Sequence, residues 1–443
     1  MIDMESKKLI NVPKVVTEVP GPKSLSILKE QRKYETSTIS YTDSFPFAVK
    51  SAKGSVITDA DENTFIDWMT GISVLNLGYD EGIIQAVRDQ MERSWHALEI
   101  PTEARVDFLK KFSHSFPSEM KNYRTMFGIS GADAVETAVN IAHSVGGSRS
   151  STVTFEGAYH GVSGGIVSAT AGTKYKRTSY SQGLSVVRVP YPYPLWYGED
   201  VSDIIADLRK IMVDHESGYE VPDSLLVEPI QGEGGYIVPP DGFLKAIREF
   251  CDQYDLSMIV DEVQSGMGRT GKMWAFEHEG IIPDIVCASK SVAGGIPMSA
   301  IYYRDDYDRK LPKPFHMGTY RANPLALAAG AYVLDTVPRY LPRVQEDGKK
   351  LVSEFREIES DIMLDVRGKG FMIGVELGNH NKPLSPERIM KIKHALLNLG
   401  LIMHTCGHFG NVFRYMGALN IPEELNERGM EIFSSVIKNE RGE

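Results

Sequence analysis

The chain has 443 residues, 42% hydrophobic and 24% charged, an ordinary globular balance with length for a large core and two or three domains. A formal net charge of −11, with no strong basic stretch, argues against nucleic acid or an anionic membrane as partner. No apolar run approaches the roughly 20 residues that span a bilayer, and the N-terminal MIDMESKKLINVPK lacks a signal-peptide core.

Three cysteines stand far apart. Cys251 and Cys287 lie in apolar-patterned segments and read as reduced core thiols, so a cytoplasmic enzyme is expected. Forty glycines interrupting well-patterned segments suggest close backbone approach to a ligand.

In chain order, residues 1–54 are rich in Pro, Lys and Ser with little periodicity, and read as an arm or part of a small lobe. Residues 55–334 alternate strand and helix. TMFGIS (125–130) is a short apolar run, and the helix after it sets Val135, Ala138, Val139 and Ala142 on one face. STVTF (151–155) and SLLVEPI (224–230) read as strands. Phe243, Ile247, Phe250 and Tyr254 form a helical stripe. LSMIVDEV (256–263), DIVCASK (284–290) and SAIYY (299–303) are further strands. Continuous apolar strands separated by amphipathic helices predict an α/β fold with a mostly parallel sheet covered on both faces. Ligands then sit beyond the carboxyl ends of the strands. Residues 335–443 change character. Strand-like runs at 366–377, 401–407 and 411–416, with helices near 385–399 and 423–437, predict a smaller α+β domain.

Gly266, Gly268 and Gly271 fit a dinucleotide G-x-G-x-x-G pattern, and the run to Lys272 nearly makes a phosphate-binding P-loop. The P-loop needs Ser or Thr after its Lys, and Met273 stands there. Asp261 and Glu262, at the end of the preceding strand, would repel a pyrophosphate. A nucleotide site is therefore not expected. His404, Cys406 and His408 alternate in a strand-like run, but three groups near a glycine make a poor metal site, and no metal is expected.

Asp261 ends a run that should be buried, and a buried carboxylate needs a cationic partner. The next strand ends in Lys290, followed by SVAGGIP. Two parallel strands thus carry an acid and a lysine to one sheet edge. A lysine among apolar and glycine residues can act as an amine nucleophile.

With these residues in view, the chain resembles the class III aminotransferases, which use pyridoxal 5'-phosphate. The resemblance rests on seven ordered segments: GISGADAVETA, FEGAYHG, LLVEPIQGEGG, IVDEVQSGMGRTG, PDIVCASKSVAGGIPMSA, HMGTYRANPLALAA and VRGKGFMIGVE. It implies the fold-type I architecture. It also implies that Lys290 forms the Schiff base with the cofactor and moves the substrate proton, while Asp261 keeps the pyridine nitrogen protonated. Val263 and Tyr159 match residues that sandwich the ring, and Gln264 the amide on its hydroxyl. Glu228 matches a glutamate near the cofactor, and His160 a supporting residue. Ser130, Gly131 and Ala132 match the phosphate-binding segment at a helix N-terminus. Ala132 stands where relatives usually have Ser or Thr. Thr319 matches the threonine that reaches the phosphate of a neighbouring subunit, which implies a homodimer with shared sites, or a tetramer of such dimers. Arg414 matches the arginine for the substrate α-carboxylate, and Glu233 the glutamate that pairs with it when the donor has none.

The implied reaction moves an amino group from an ω-amino acid, such as 4-aminobutyrate, to a 2-oxo acid such as 2-oxoglutarate. Some 4-aminobutyrate enzymes carry an arginine directly after YHG, where this chain has Val162. An amino-acid racemase or epimerase of the same fold is the alternative: EVPGPKS, SGADAV and GHFGNVFR resemble a branch that includes such enzymes.

Overall fold

The computed structural model describes residues 11–39, 41–147, 149–175, 183–198 and 200–440; the first ten residues of the expected arm lie outside them. The chain forms two compact units, Met1–Asp80 with Glu346–Glu443, and Glu81–Gln345. These divisions differ from the 54/55 and 334/335 boundaries drawn from composition. The reason is strand pairing: residues 55–80 are hydrogen-bonded to the C-terminal segment.

The first unit begins with a helix, Pro22–Gln31, and a short turn of helix, Tyr41–Ser44. Strands β1 (Val49–Lys53), β2 (Val56–Asp59) and β3 (Thr64–Asp67) then pair antiparallel in sequence order. Ile57 and Phe65 are buried in a small core joined by Phe45 and Phe47.

The second unit holds a seven-stranded sheet. Its strands are β4 (Arg124–Gly128), β5 (Ser151–Phe155), β6 (Ser185–Val189), β7 (Ser224–Val227), β8 (Ser257–Asp261), β9 (Ile285–Ala288) and β10 (Ser299–Tyr303). The spatial order is β4-β10-β9-β8-β7-β5-β6. Every pair is parallel except those of β10, which runs antiparallel to both β9 and β4. The expected mostly parallel sheet is present. The single reversed strand carries no signature in hydrophobic pattern, because apolar periodicity has no direction. Strands β7 to β10 are buried along their whole length, as strands covered on both faces must be.

The Gly131–Val145 helix packs its Val135, Ala138, Val139 and Ala142 stripe on Leu226, Ile259, Ile285 and Ile301 of the sheet. Each fully buried Val, Leu or Ile there contributes about 1.5–3 kcal/mol relative to exposure. The Phe243–Tyr254 helix buries Phe243, Ile247 and Phe250. Cys251 and Cys287 are buried free thiols, as is Cys406. Several strands end earlier than their apolar runs. SLLVEPI is strand only to Val227, and LSMIVDEV only to Asp261, since beyond those points the backbone turns to form the site.

The chain then returns to the first unit. The 366–377 run is a hairpin: β11 (Met363–Lys369) and β12 (Met372–Asn379) pair antiparallel across Gly370, whose φ is +55°. A short β13 (Lys382–Pro383) pairs with β12. The Pro386–Asn398 helix leads to β14 (Leu401–Ile402), which pairs parallel with β3. Strands β15 (His404–Cys406) and β16 (Val412–Tyr415) extend the sheet in the order β11-β12-β16-β15. The Glu423–Asn439 helix closes the described chain. Among the described residues, no helix is long and apolar enough to cross a membrane.

Candidate active site

Beyond the carboxyl ends of the parallel strands lies a cavity of about 320 Å³. Three chain segments make one wall: Ser130, Gly131 and Ala132 after β4, Tyr159 and His160 after β5, and Glu228 and Glu233 after β7. Asp261, Val263 and Gln264 enter from β8, and Lys290 from the end of β9. Eleven of the residues singled out from sequence therefore line one space. Two do not belong to that lining. Thr319 is exposed in a separate hollow beside Trp95, His96 and Tyr320. Arg414 lies in β16 of the first unit, 1% exposed.

The anion end is built by the Gly131–Val145 helix. Ser130 is its N-cap, and its Oγ accepts a hydrogen bond from the Asp133 N–H at 3.2 Å. The first turn leaves backbone N–H groups pointing out of the helix, with the positive end of its dipole. A Cβ on Gly131 would lie 2.9 Å from Cγ1 of Val263, so glycine is required where these two elements meet. On the Tyr159–Gly161 segment, Gly161 has φ +114° and its Cβ would fall 2.5 Å from that of Ala132. The small residue at 132 thus fits a close approach of two backbones.

The acid end is a buried network. Asp261 is 5% exposed; its Oδ2 lies 2.8 Å from Nδ1 of His160, and its Oδ1 accepts from the Val263 N–H at 3.0 Å. A hydrogen bond to a carboxylate puts the imidazole proton on Nδ1. The His160 backbone N–H donates to Oγ1 of Thr170, whose hydroxyl donates to the Gly161 carbonyl. Glu228 accepts from the backbone N–H of Tyr159 at 3.1 Å and of Gly232 at 3.0 Å. Burial raises the Glu228 carboxyl above its ordinary range; the His160 interaction opposes this and the Asp261 charge adds to it. Lys290 has φ +42°, a conformation costly for a side chain with a Cβ and of the kind that recurs at functional sites.

Two observations bear on what fits. Oε1 of Gln264 and Nε2 of His160 are buried with no hydrogen-bond partner in the protein. Such orphans cost free energy unless a ligand satisfies them. The donor set is a helix N-terminus for an anion, an anchored carboxylate, an amide and a primary amine. That set matches a phosphorylated aromatic aldehyde with a ring nitrogen.

The adjacent carboxylates Asp261 and Glu262 are divided. Asp261 lines the cavity, whereas Glu262 turns into the protein, 1% exposed, and accepts from the Ser265 hydroxyl at 2.6 Å and the Phe276 N–H at 2.9 Å. It does not face a ligand, contrary to the expectation that both carboxylates would repel one. The glycine loop that follows wraps on Trp274: a Cβ on Gly266 would meet its ring at 2.9 Å. No long helix opens after Gly271, only the 3-10 turn Ala275–His278, so a dinucleotide fingerprint is not formed. A larger hollow of about 590 Å³ lies near Arg248, Asp284 and Arg304, but those charges are already paired with one another. His404 packs edge-on against Tyr41 and Phe45.

Sequence reasoning missed Thr170, which holds the backbone on both sides of His160, because a lone threonine in a loop carries no pattern. It also missed Lys393. Ile389, Ile392 and Leu396 mark the buried face of the Pro386–Asn398 helix, and Lys393 falls inside that stripe. A lysine at an apolar helical position was the available signal.

A sheet that brings a lysine and an acid to one cavity, beside a helix N-terminus, defines a fold-type I pyridoxal-phosphate enzyme. The chain belongs to the class III aminotransferase family: the family model described as "Aminotransferase class-III" matches residues 39–437. Diaminobutyrate--2-oxoglutarate aminotransferase of Rhizobium meliloti is 33% identical over 89% of this chain and 89% of its own length. 4-Aminobutyrate aminotransferase of Mycobacterium leprae is 33% identical over 96% and 97%. Alanine/serine racemase of Pyrococcus horikoshii is 31% identical over 97% and 94%. The crystal structure of a Bacillus anthracis aminotransferase shares the fold, with a TM-score of 0.85 at 22% identity over 94% of this chain and 99% of that one. Pyridoxal 5'-phosphate is the cofactor of this family.

Proposed function

We propose that this protein transfers the amino group of an ω-amino acid, of the 4-aminobutyrate or diaminobutyrate kind, to a 2-oxo acid such as 2-oxoglutarate. The observation that carries the reading is that Lys290 and Asp261 line one cavity at the ends of adjacent parallel strands. The names of the relatives give the substrate class.

When bound, pyridoxal phosphate supplies an aldehyde that links to amines and a ring that draws electrons from the substrate carbon. In this reading the residues divide the remaining work. Lys290 holds the cofactor through its amine and, once the substrate amine has displaced it, carries the proton to and from the substrate carbon. Asp261, braced by His160, holds a proton on the ring nitrogen. Tyr159 and Val263 confine the ring, and Gln264 offers its amide to the ring hydroxyl. Ser130, Gly131 and Ala132 receive the phosphate, and Glu228 sits close by. Arg414 takes the α-carboxylate, and Glu233 is its partner when the donor has none. Thr319 serves the phosphate of a second copy in a cytoplasmic homodimer.

Borohydride reduction of the holoenzyme followed by peptide mapping tests the tethering role: the pyridoxyl group is expected on Lys290, and a label elsewhere ends the assignment. A second reading, racemisation, is favoured by the Pyrococcus relative. A single enantiomer incubated without a 2-oxo acid keeps its optical rotation under the first reading and loses it under the second.

A further inference from the structure

The turn read as the phosphate seat carries an acid of its own. Asp133 lies in the first turn of the Gly131–Val145 helix. Its Oδ2 accepts from the Ile129 N–H at 2.8 Å, so the carboxylate bridges across Ser130, Gly131 and Ala132. An acid in a first helical turn suits the helix dipole. It does not suit a second anion on the same turn, because like charges at short range repel.

Arg321 answers that charge. Its Nη2 donates to Oδ1 of Asp133 at 3.0 Å, with the arginine side chain 14% and the acid 25% exposed. Nε and Nη1 of Arg321 are buried with no hydrogen-bond partner, and among the described residues Asp133 is the one acid it pairs with. The arginine reaches that acid by folding back over Gly318. Its backbone N–H donates to the Gly318 carbonyl at 3.3 Å, and a Cβ on Gly318 would fall 2.9 Å from Cδ and Nε of the side chain. Nε2 of His316 stands 3.7 Å from Oδ1 of Asp133 and 3.2 Å from Oγ1 of Thr137. Burial, and after it the Arg321 charge, hold this imidazole below its ordinary range, which leaves the guanidinium as the cation on Asp133 near neutral pH. Ser130, Gly131 and Ala132 line the cavity and Arg321 does not, so the arginine acts through Asp133.

We propose that Arg321 is a positioning residue for the cofactor phosphate: it cancels the Asp133 charge, so that the helix N-terminus can hold an anion beside a carboxylate. This rests on the reading of Ser130, Gly131 and Ala132 as the phosphate seat.

The test titrates the full-length apoenzyme, by fluorescence, with pyridoxal phosphate and with pyridoxal, which has the ring and aldehyde without the phosphate. The Kd for pyridoxal divided by that for its phosphate reads the phosphate contribution alone. Arg321→Met should cut this ratio by about tenfold, the scale of one like-charge contact near a protein surface. Adding Asp133→Asn to Arg321→Met should restore it, since no charge is left to cancel and the asparagine oxygen still accepts from the Ile129 N–H. Asp133→Asn alone should hold the phosphate at least as tightly as wild type, and Arg321→Lys should keep most of the ratio. A bond that only braces the turn gives the opposite pattern: either single change loosens the phosphate and the double change does not mend it. An unaltered ratio in Arg321→Met, equal losses for both ligands, or a double variant no better than Arg321→Met overturns the proposal. Should Arg321→Met not fold, Asp133→Asn alone decides, and weaker phosphate binding there rejects it. A wild type that binds pyridoxal as tightly as its phosphate removes the phosphate seat itself, and the role of Arg321 with it.

Discussion

Nδ1 of His160 stands 2.8 Å from the Asp261 carboxylate, and neither side chain reaches solvent appreciably. The imidazole engages Oδ2 while Oδ1 accepts from the Val263 N–H, so the carboxylate is held in one orientation. Asp261→Asn keeps the shape and removes the charge. We expect kcat to fall about a hundredfold or more, the scale of losing a directed electrostatic contact to the reacting group. His160→Gln should cost less, about tenfold, and should shift the pH titration of the bound cofactor's visible absorbance. A steady-state assay and a spectrophotometric titration check the two outcomes. Full activity in Asp261→Asn would refute the role given to the carboxylate.

Gly131 has no room for a side chain against Val263, yet it opens the helix whose N-terminus lines the cavity. Gly131→Ala should push Val263 into the ring space and move the anion-binding turn. The expected effect is a weaker hold on the cofactor, about tenfold or more in Kd, because a displacement on the 1 Å scale is costly at an oriented site. Titrating apoenzyme with pyridoxal phosphate by fluorescence measures it. Unaltered affinity would show that the turn does not carry the phosphate.

Much of this arrangement was legible in the letters, and the failures have physical reasons. Asp261 and Lys290 were readable because each ends a continuous apolar run, so burial and sheet edge followed together. Gly131 was readable from the helix pattern that begins beside it. The direction of Glu262 was not: two adjacent carboxylates at a strand end look alike in sequence, and only the loop returning to Phe276 turns one inward. The hairpin at Gly370 was read as one strand, since apolar residues continue on both sides of the turn. Thr170 and Lys393 act through partners 10 and 349 residues away, a distance no local pattern spans.

Trp95 and Tyr320 are 64% and 70% exposed and line one hollow with Thr319 and Leu98. Large aromatic groups held in contact with water at one place mark an association surface. In the proposed homodimer this face is covered by the second copy. Tyr320→Glu together with Trp95→Glu should then halve the mass seen by light scattering and weaken cofactor retention, while Thr319→Ala should weaken retention and leave the mass unchanged. A wild-type protein that elutes as a monomer at all concentrations would remove the shared site.

Glu262 gives a prediction about pH. Burial, more than its hydrogen bonds can offset, raises its carboxyl from the ordinary 4.5 to about 8. Between those two values the folded chain holds a proton that the unfolded chain has released. The folded state then binds more protons than the unfolded state, so this group's contribution to stability falls as pH rises from 4.5 towards 8, and the penalty is complete above that. Glu262→Gln cannot titrate. Its amide oxygen can still accept from the Phe276 N–H, and its NH2 can donate to the Ser265 hydroxyl. We expect its Tm, measured by calorimetry, to gain on wild type with rising pH, by on the order of a few degrees between pH 5 and 8. Glu262→Ala instead leaves both partners without an acceptor in a buried setting. It should lose about 1–3 kcal/mol for each, at every pH. Parallel Tm profiles for wild type and the glutamine variant would show that the carboxyl is ionised throughout, held as an anion by the N–H and O–H groups that converge on it.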